Sequence, residues 1–426
     1  MYAHGFGKQR DALMETLDAI CLTGAPASFP MLSLSQVFHR QWHSLYKAVE
    51  RGSLDTTWLG RYLAQAVPQE GVQCFSLDGS AWPRPRARTL DDRQYVYHPT
   101  AAVNGGSLCI GYPYSLLDWV PEAQQSWSLS VSVERIPSQM TAVEMGIKQV
   151  KELNANRAHL QAVLDIVAAD GKYGNARFLR ALQDQHCGIV VRLRQDRVLY
   201  RTPEQPQQRK RGRPRIHGNR FAFKQPETWG TPDETIQFAD PKMGLVKLER
   251  WNGLHGKNDV DVPVDVVRAS VHLEKAKPPR PIWLAWQAPV GLPADIVVNA
   301  ATIWEAYTHR WPVEASIRFR KQSLGWTTPQ FQHKARCDRW SWLVALAVWV
   351  LFLARPIVED QPLPWQKPLS RLTPQRVQQS LPLIFAQFGS PARKPKRRGK
   401  SPGWPRGRPR TPKPHFSVVK KQPVPV

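Results

Sequence analysis

Cysteine is scarce, with five residues (Cys21, Cys74, Cys109, Cys187 and Cys337) scattered over 426 positions and no CxxC pair. That spacing excludes a disulfide framework and a zinc knuckle, and it predicts a reducing, cytoplasmic setting. Long apolar runs are missing too. The longest, Trp342–Ala354, covers 13 residues, whereas a membrane helix needs about 20. It predicts a buried core helix and no membrane partner. The first twenty residues hold no apolar segment of the signal-peptide kind. No internal repeat of solenoid length is present. Acid is in short supply, with 34 Asp and Glu against 59 Lys and Arg, a formal net charge of +25. A surface this basic meets a polyanion, and nucleic acid is the first candidate.

The positive charge is concentrated. Residues 391–426 hold twelve Lys or Arg and no acid, and residues 209–224 hold seven and no acid. Such blocks act as interaction arms rather than core. Each contains a short repeated motif, Lys210-Arg211-Gly212-Arg213-Pro214-Arg215 and Pro405-Arg406-Gly407-Arg408-Pro409-Arg410. The Arg-Gly-Arg-Pro core resembles an AT-hook. Glycine lets the backbone lie near a groove floor and proline keeps it extended. Arginines such as Arg211, Arg213, Arg406 and Arg408 would enter the electronegative minor groove of A·T-rich DNA.

Along the chain, residues 1–70 read as helical, with Arg10–Cys21 and Leu34–Arg51 as examples of apolar residues recurring at three and four. From Gly71 the pattern changes to strands: Val72–Leu77, Ser107–Tyr114 and Gln125–Arg135. A helix over Thr141–Leu153, a strand over Leu164–Ala169, a helix over Asn175–Gln185 and a strand over Gly188–Leu193 follow. This order predicts an α/β fold of RNase H-like type over 71–193, with an antiparallel hairpin region and a parallel crossover. Residues 194–300 are strand-prone and read as a β-rich insertion. Two helices, Ala301–Leu324 and Arg336–Ala354, complete the catalytic domain over 301–360. The C-terminal region, 361–426, ends in a tail with nine prolines after residue 390 and reads as disordered.

Acidic residues fall at informative places. Asp78 and Asp170 each follow a predicted strand, and each precedes a glycine. Those strands are neighbours in the inferred fold, so the carboxylates would meet. Glu314, on the first helix after the insertion, would supply a third. Phosphoryl transfer needs mainly positioning and charge stabilisation. Two divalent metals held by converging carboxylates provide both. Each residue has a plain alternative: Asp-Gly after a strand is commonly a turn, and a helical Glu is commonly solvated.

Around Glu314 lies a wider pattern. Tyr307, Arg310, Glu314, Arg318 and Lys321 recur at three-, four- and seven-residue spacing, which forms one stripe on a helix. Pro312 would either start that helix or kink it. The Y-x2-R-x3-E-x6-K text resembles the YREK signature of bacterial insertion-sequence transposases with a DDE site. FSLDGS and AADGKYGN resemble the first and second Asp motifs of that family, and RWPVE the third. The resemblance covers roughly residues 71–355. It implies an RNase H-like catalytic domain with a β-rich insertion between the second Asp and the Glu. It also implies that Asp78, Asp170 and Glu314 bind Mg²⁺, two ions with Mn²⁺ as a substitute. Tyr307, Arg310 and Lys321 would contact the transposon end. Trp283 and Trp286 are the insertion tryptophans offered for holding a flipped base, with core packing as the competing role.

The reading that results is a nucleoid-associated transposase in the cytoplasm, acting on terminal inverted repeats and target DNA as a homodimer. Its rivals are a nuclease or resolvase on the same fold, and a non-catalytic AT-rich DNA-binding protein.

Overall fold

The structure, a computed structural model, describes residues 1–26, 28–97, 107–160, 162–203, 215–241, 243–272, 279–292, 296–395, 403, 407, 409 and 412–421. Arg211, Arg213, Arg406 and Arg408, the proposed minor-groove arginines, lie outside these residues.

Four helices open the chain: α1 (Tyr2–Gly5), α2 (Arg10–Leu22), α3 (Trp42–Arg51) and α4 (Thr56–Ala66). The helix expected over Leu34–Arg51 begins only at Trp42, because Phe29–Leu34 forms a 3-10 turn and extended chain follows. The sheet starts with β1 (Gly71–Pro83), β2 (Gln94–Tyr97), β3 (Leu108–Trp119) and β4 (Leu129–Arg135). Then come α5 (Ala142–Arg157), β5 (Val163–Ala169), α6 (Ala176–Leu182) and β6 (Gly188–Leu193). Thr141 and Glu144 close a reciprocal capping box at the start of α5, which satisfies two orphan amides.

The insertion adds β7 (Val198–Tyr200), β8 (Arg220–Ala222), β9 (Glu234–Asp240), β10 (Gly244–Gly256), β11 (Asp259–His272) and β12 (Ile282–Gln287). It is not a separate layer, since β12 pairs antiparallel with β6 from Trp283↔Leu193 to Gln287↔Ile189. One sheet results, ordered β2-β3-β1-β5-β6-β12-β11-β10-β7-β8, with β4 beside β3 and β9 beside β10. Within it, β4-β3-β1-β5-β6 is the RNase H-like core. There β1 runs antiparallel to β3 and parallel to β5, as the crossover through α5 requires.

The last helices are α7 (Ala300–Thr308), α8 (Pro312–Gln322), α9 (Lys334–Ala354) and α10 (Pro374–Phe388). The single helix expected over Ala301–Leu324 is therefore two, with Pro312 in the first turn of the second. Proline fits there because its missing amide would be unpaired anyway. By length and composition α9 could cross a membrane, but 72% of its apolar window is buried. It packs against α2, β4 and α10 as a core helix.

Period-two alternation divides the sheet into two buried faces. On β5, Leu164, Ile166 and Ala168 pack with Ile303, Trp304 and Tyr307 of α7. Val167 and Ala169 join the larger core on the other face, which also holds residues of α2 and α9.

One part of the tail lies against the sheet. Residues 412–421 run beside the segment that leads into β2, where the Phe416 and Val419 amides donate to the Arg88 and Arg93 carbonyls at 2.9 and 2.8 Å and Val419 bridges Gln94 at the strand's outer edge. A free sheet edge offers unpaired backbone groups, and this segment takes some of them up.

Candidate active site

Alternation also aims the candidate carboxylates. Cys74 on β1 belongs to the core facing α7, so Asp78, four residues on, points to the same face. The pairing Leu77↔Ala169 makes Asp78 and Asp170 adjacent across the β1–β5 pair, as the inferred strand order required. Their local settings differ. Asp170 follows the last residue of β5, and its Oδ1 accepts from the Lys172 amide at 2.7 Å. Asp78 does not end its strand. β1 continues through Gly79–Pro83, opposite Ser115–Gly111 of β3, so Asp78-Gly79 is not a turn.

Glu314 lies in the first turn of α8 and is exposed. A carboxylate there is favoured by the helix dipole. Its helix is fixed from beneath by Arg320. The Arg320 guanidinium is 2% exposed and Nη2 meets Asp118 Oδ2 at 2.7 Å. It also donates to Ser130 Oγ at 2.8 Å and to the Ser128 carbonyl at 2.7 Å. Asp118 reaches this place through a register shift between Leu117 and Asp118 in the β3–β4 pairing. No local motif signals this anchor.

The electrostatics tie the three acids together. Burial pushes the Asp78 carboxyl above its ordinary range, and the charges of Asp170 and Glu314 push the same way. Arg310 and the Gly79 amide pull it down. Arg310 Nη1 lies 3.1 Å from Asp78 Oδ2. Burial draws the Lys172 ammonium down, against the attraction of Asp170 and Asp78.

Among the described residues, no three His, Cys, Asp or Glu side chains converge closely enough to hold an ion between them. The donor chemistry nonetheless fits a divalent cation: hard oxygens, mutually repelling, with Arg310 now supplying the positive charge against Asp78. Binding there would displace that guanidinium.

The other expected site residues separate. Tyr307 is 2% exposed, so it does not present its ring to DNA. It lies beneath Arg310, whose guanidinium is 5.6 Å from the ring centroid. Arg318 is exposed on α8. Lys321 turns to the Trp326 ring, 5.9 Å away. Because α7 ends at Thr308, the five residues do not form one helical stripe. Trp283 and Trp286 are 3% and 2% exposed. Trp283 stacks on Phe223 at 4.1 Å, so both tryptophans are core.

Three cations, Arg192, Arg194 and Arg280, escaped the sequence reading. An open cleft beside Asp170 is lined by Arg192, Arg194, Lys224 and Arg280 together with Arg310. Arg192 and Arg194 flank the end of β6, and Arg280 precedes β12. Only the pairing of β6 with β12 brings them together, and no local motif announces it. A cleft with this charge beside a carboxylate pair suits a phosphodiester backbone.

No curated protein matches the chain. A family model described as DDE superfamily endonuclease matches residues 2–252, a span that includes Asp78 and Asp170 and stops before Glu314.

Proposed function

Because the chain belongs to the DDE superfamily endonucleases, a family of divalent-metal nucleases acting on DNA, we propose that it is an insertion-sequence transposase. In this reading it cuts DNA at the ends of its element and joins the freed 3′ ends to target DNA. The observation that carries the proposal is the placement of Asp78 on β1 beside Asp170 at the end of the parallel strand β5, near enough for the charge of Glu314 to act on Asp78, beside the basic cleft.

The chain's own residues divide the work. Arg192, Arg194, Lys224 and Arg280 hold the phosphate backbone along the insertion wall. Asp78, Asp170 and Glu314 supply the metal ligands, with Mg²⁺ the expected ion and Mn²⁺ its substitute. When bound, the metal pair stabilises charge on the attacking and leaving oxygens. Arg310 neutralises Asp78 in the free protein and is released toward the DNA phosphate. Arg318 and Lys321 extend the backbone contacts along α8. Arg211, Arg213, Arg406 and Arg408 add minor-groove contacts. Two ends must be held together for joining, so the DNA complex is at least a dimer.

The test is incubation of the purified protein with its element's end DNA and Mg²⁺, mapping nicks and joined products. Asp78→Asn, Asp170→Asn and Glu314→Gln each lower cleavage by at least about a thousandfold, the scale for one member of a catalytic unit. DNA binding stays largely intact, because the cations remain. Nicking without joined product would reduce the protein to a nuclease. Full activity in all three variants would overturn the site.

A further inference from the structure

The tail segment 412–421 has a defined seat. Val419 forms a parallel bridge with Gln94 of β2. Its amide donates to the Arg93 carbonyl, while Arg93 Nη2 donates back to the Phe416 carbonyl at 3.1 Å. Lys413 Nζ bonds Gln332 Oε1. At the far end, Lys421 Nζ reaches the Met140 carbonyl at 2.7 Å, just before α5. This carries the segment from the start of β2 to the residues that precede α5. Burial draws the Lys421 ammonium below its usual range and the positive charge of Lys172 acts in the same direction, against the weaker attraction of Asp92 and Glu144. Lys172 is two residues from Asp170, so a tail cation lies within charge range of the active-site rim.

This arrangement is electrostatically unfinished. Lys420 and Lys421 are exposed, and neither forms an ion pair among the described residues. Lys421 and Lys172 repel one another. A polyanion laid over them would remove that repulsion and release its own counterions. The sheet order places the segment on the opposite side of the Asp78–Asp170 pair from the basic insertion cleft. Cations therefore stand on both flanks of the carboxylates.

We propose that residues 412–421 are a docked strap presenting Lys420 and Lys421 to the phosphate backbone of the DNA that is cut at Asp170. The strap is the second wall of the DNA path, facing the insertion wall. It differs from a free basic arm because its backbone bonds fix where the two charges stand. The proposal rests on the DNA-cutting reading above.

Two variants test it in the full-length protein. Lys420→Ala/Lys421→Ala removes the charges and leaves the backbone bonds. Val419→Pro keeps every tail cation and removes the amide donor that seats the strap. Binding of end DNA is measured from 50 to 200 mM salt, with cleavage in parallel and thermal melting as the folding control. Each phosphate neutralised contributes about 0.9 to the log–log salt slope. Both variants are expected to have a slope shallower by up to about 1.8 and to cut more slowly, with unchanged melting. An unchanged slope in the double alanine variant overturns the proposal. So does a change in that variant but not in Val419→Pro, which would mean a free arm. Tighter binding or faster cutting in either variant would make the strap an inhibitory cover instead. A parent protein that neither binds nor cuts the DNA would refute the functional reading, whereas a parent that does both leaves failure in the variants to the strap alone.

Discussion

The buried pair under α8 makes a quantitative test. Arg320 and Asp118 have side chains 2% and 0% exposed, so water screens neither charge. Replacing Asp118 by Leu leaves a guanidinium in a dry site without a counter-charge, which costs about 4 kcal/mol. Replacing Arg320 by Met is expected to cost less, about 3 kcal/mol, because the Ser128 and Ser130 hydroxyls still donate to the carboxylate. The double variant Asp118→Leu/Arg320→Met removes both charges and is expected within about 1–2 kcal/mol of the parent. The coupling energy is then about 5 kcal/mol or more, above the usual range of about 0.5–3 kcal/mol. Urea unfolding followed by tryptophan fluorescence measures all four proteins. Nicking assays well below the transition separate stability from positioning. The double variant keeps its stability but loses the directional bonds that orient the Glu314 helix, so its rate falls while its unfolding midpoint does not. Single variants that each cost less than about 1 kcal/mol would refute the reasoning, because the site would then have to be wet.

Two pH predictions follow from the carboxylates. Arg310 opposes the burial that raises Asp78, so Arg310→Ala should raise that group further. Metal ligation needs the ionised form, so the acid limb of the residual cleavage profile should move to higher pH; an unmoved limb would disconnect Arg310 from Asp78. In α2, burial and the Glu15 charge push Asp18 up to about 7, against a hydrogen bond from Ser390. The folded state holds that proton more tightly than the unfolded chain does. Its contribution to stability is full below pH 3.8, the ordinary value, and is lost as pH rises through about 7. Asp18→Asn should therefore flatten the decline in stability between those limits, and a variant as pH-dependent as its parent would exclude Asp18 as the source.

Local signals carried much of this molecule. A short strand-forming run ending at Asp170-Gly171 located β5 to within one residue, and β6 matched its expected ends. Asp170 stood at its strand end because no partner strand draws the chain onward. Asp78 did not, because pairing with β3 continues β1 past a dipeptide that reads as a turn. Tertiary pairing outweighed local propensity there. The break between α7 and α8 was legible in Pro312 as one of two alternatives, and three-dimensional packing chose between them. α10 was missed because Pro374 and Pro382 argue against a helix, although Pro374 sits in its first turn and Pro382 is tolerated inside it. The basic cleft could be read only in part: Arg310 and Lys224 stood in noted motifs, whereas Arg192, Arg194 and Arg280 did not. Its arginines come from chain segments about 85 residues apart, joined by the β6–β12 ladder.

That ladder also governs how the protein can move. Five consecutive residue pairs join β6 to β12, and an interior seam of this kind cannot open without leaving backbone amides and carbonyls unpaired. The insertion is therefore welded to the strand beside Asp170, with no pivot at that junction. Distortion imposed by bending DNA over the insertion would travel through the plate toward the carboxylates rather than dissipate at a joint. In the proposed reaction, any closing of Glu314 on the two aspartates would fall to the short link from Thr308 to Pro312. There a few dihedral angles separate two helices, and Arg310 holds the latch.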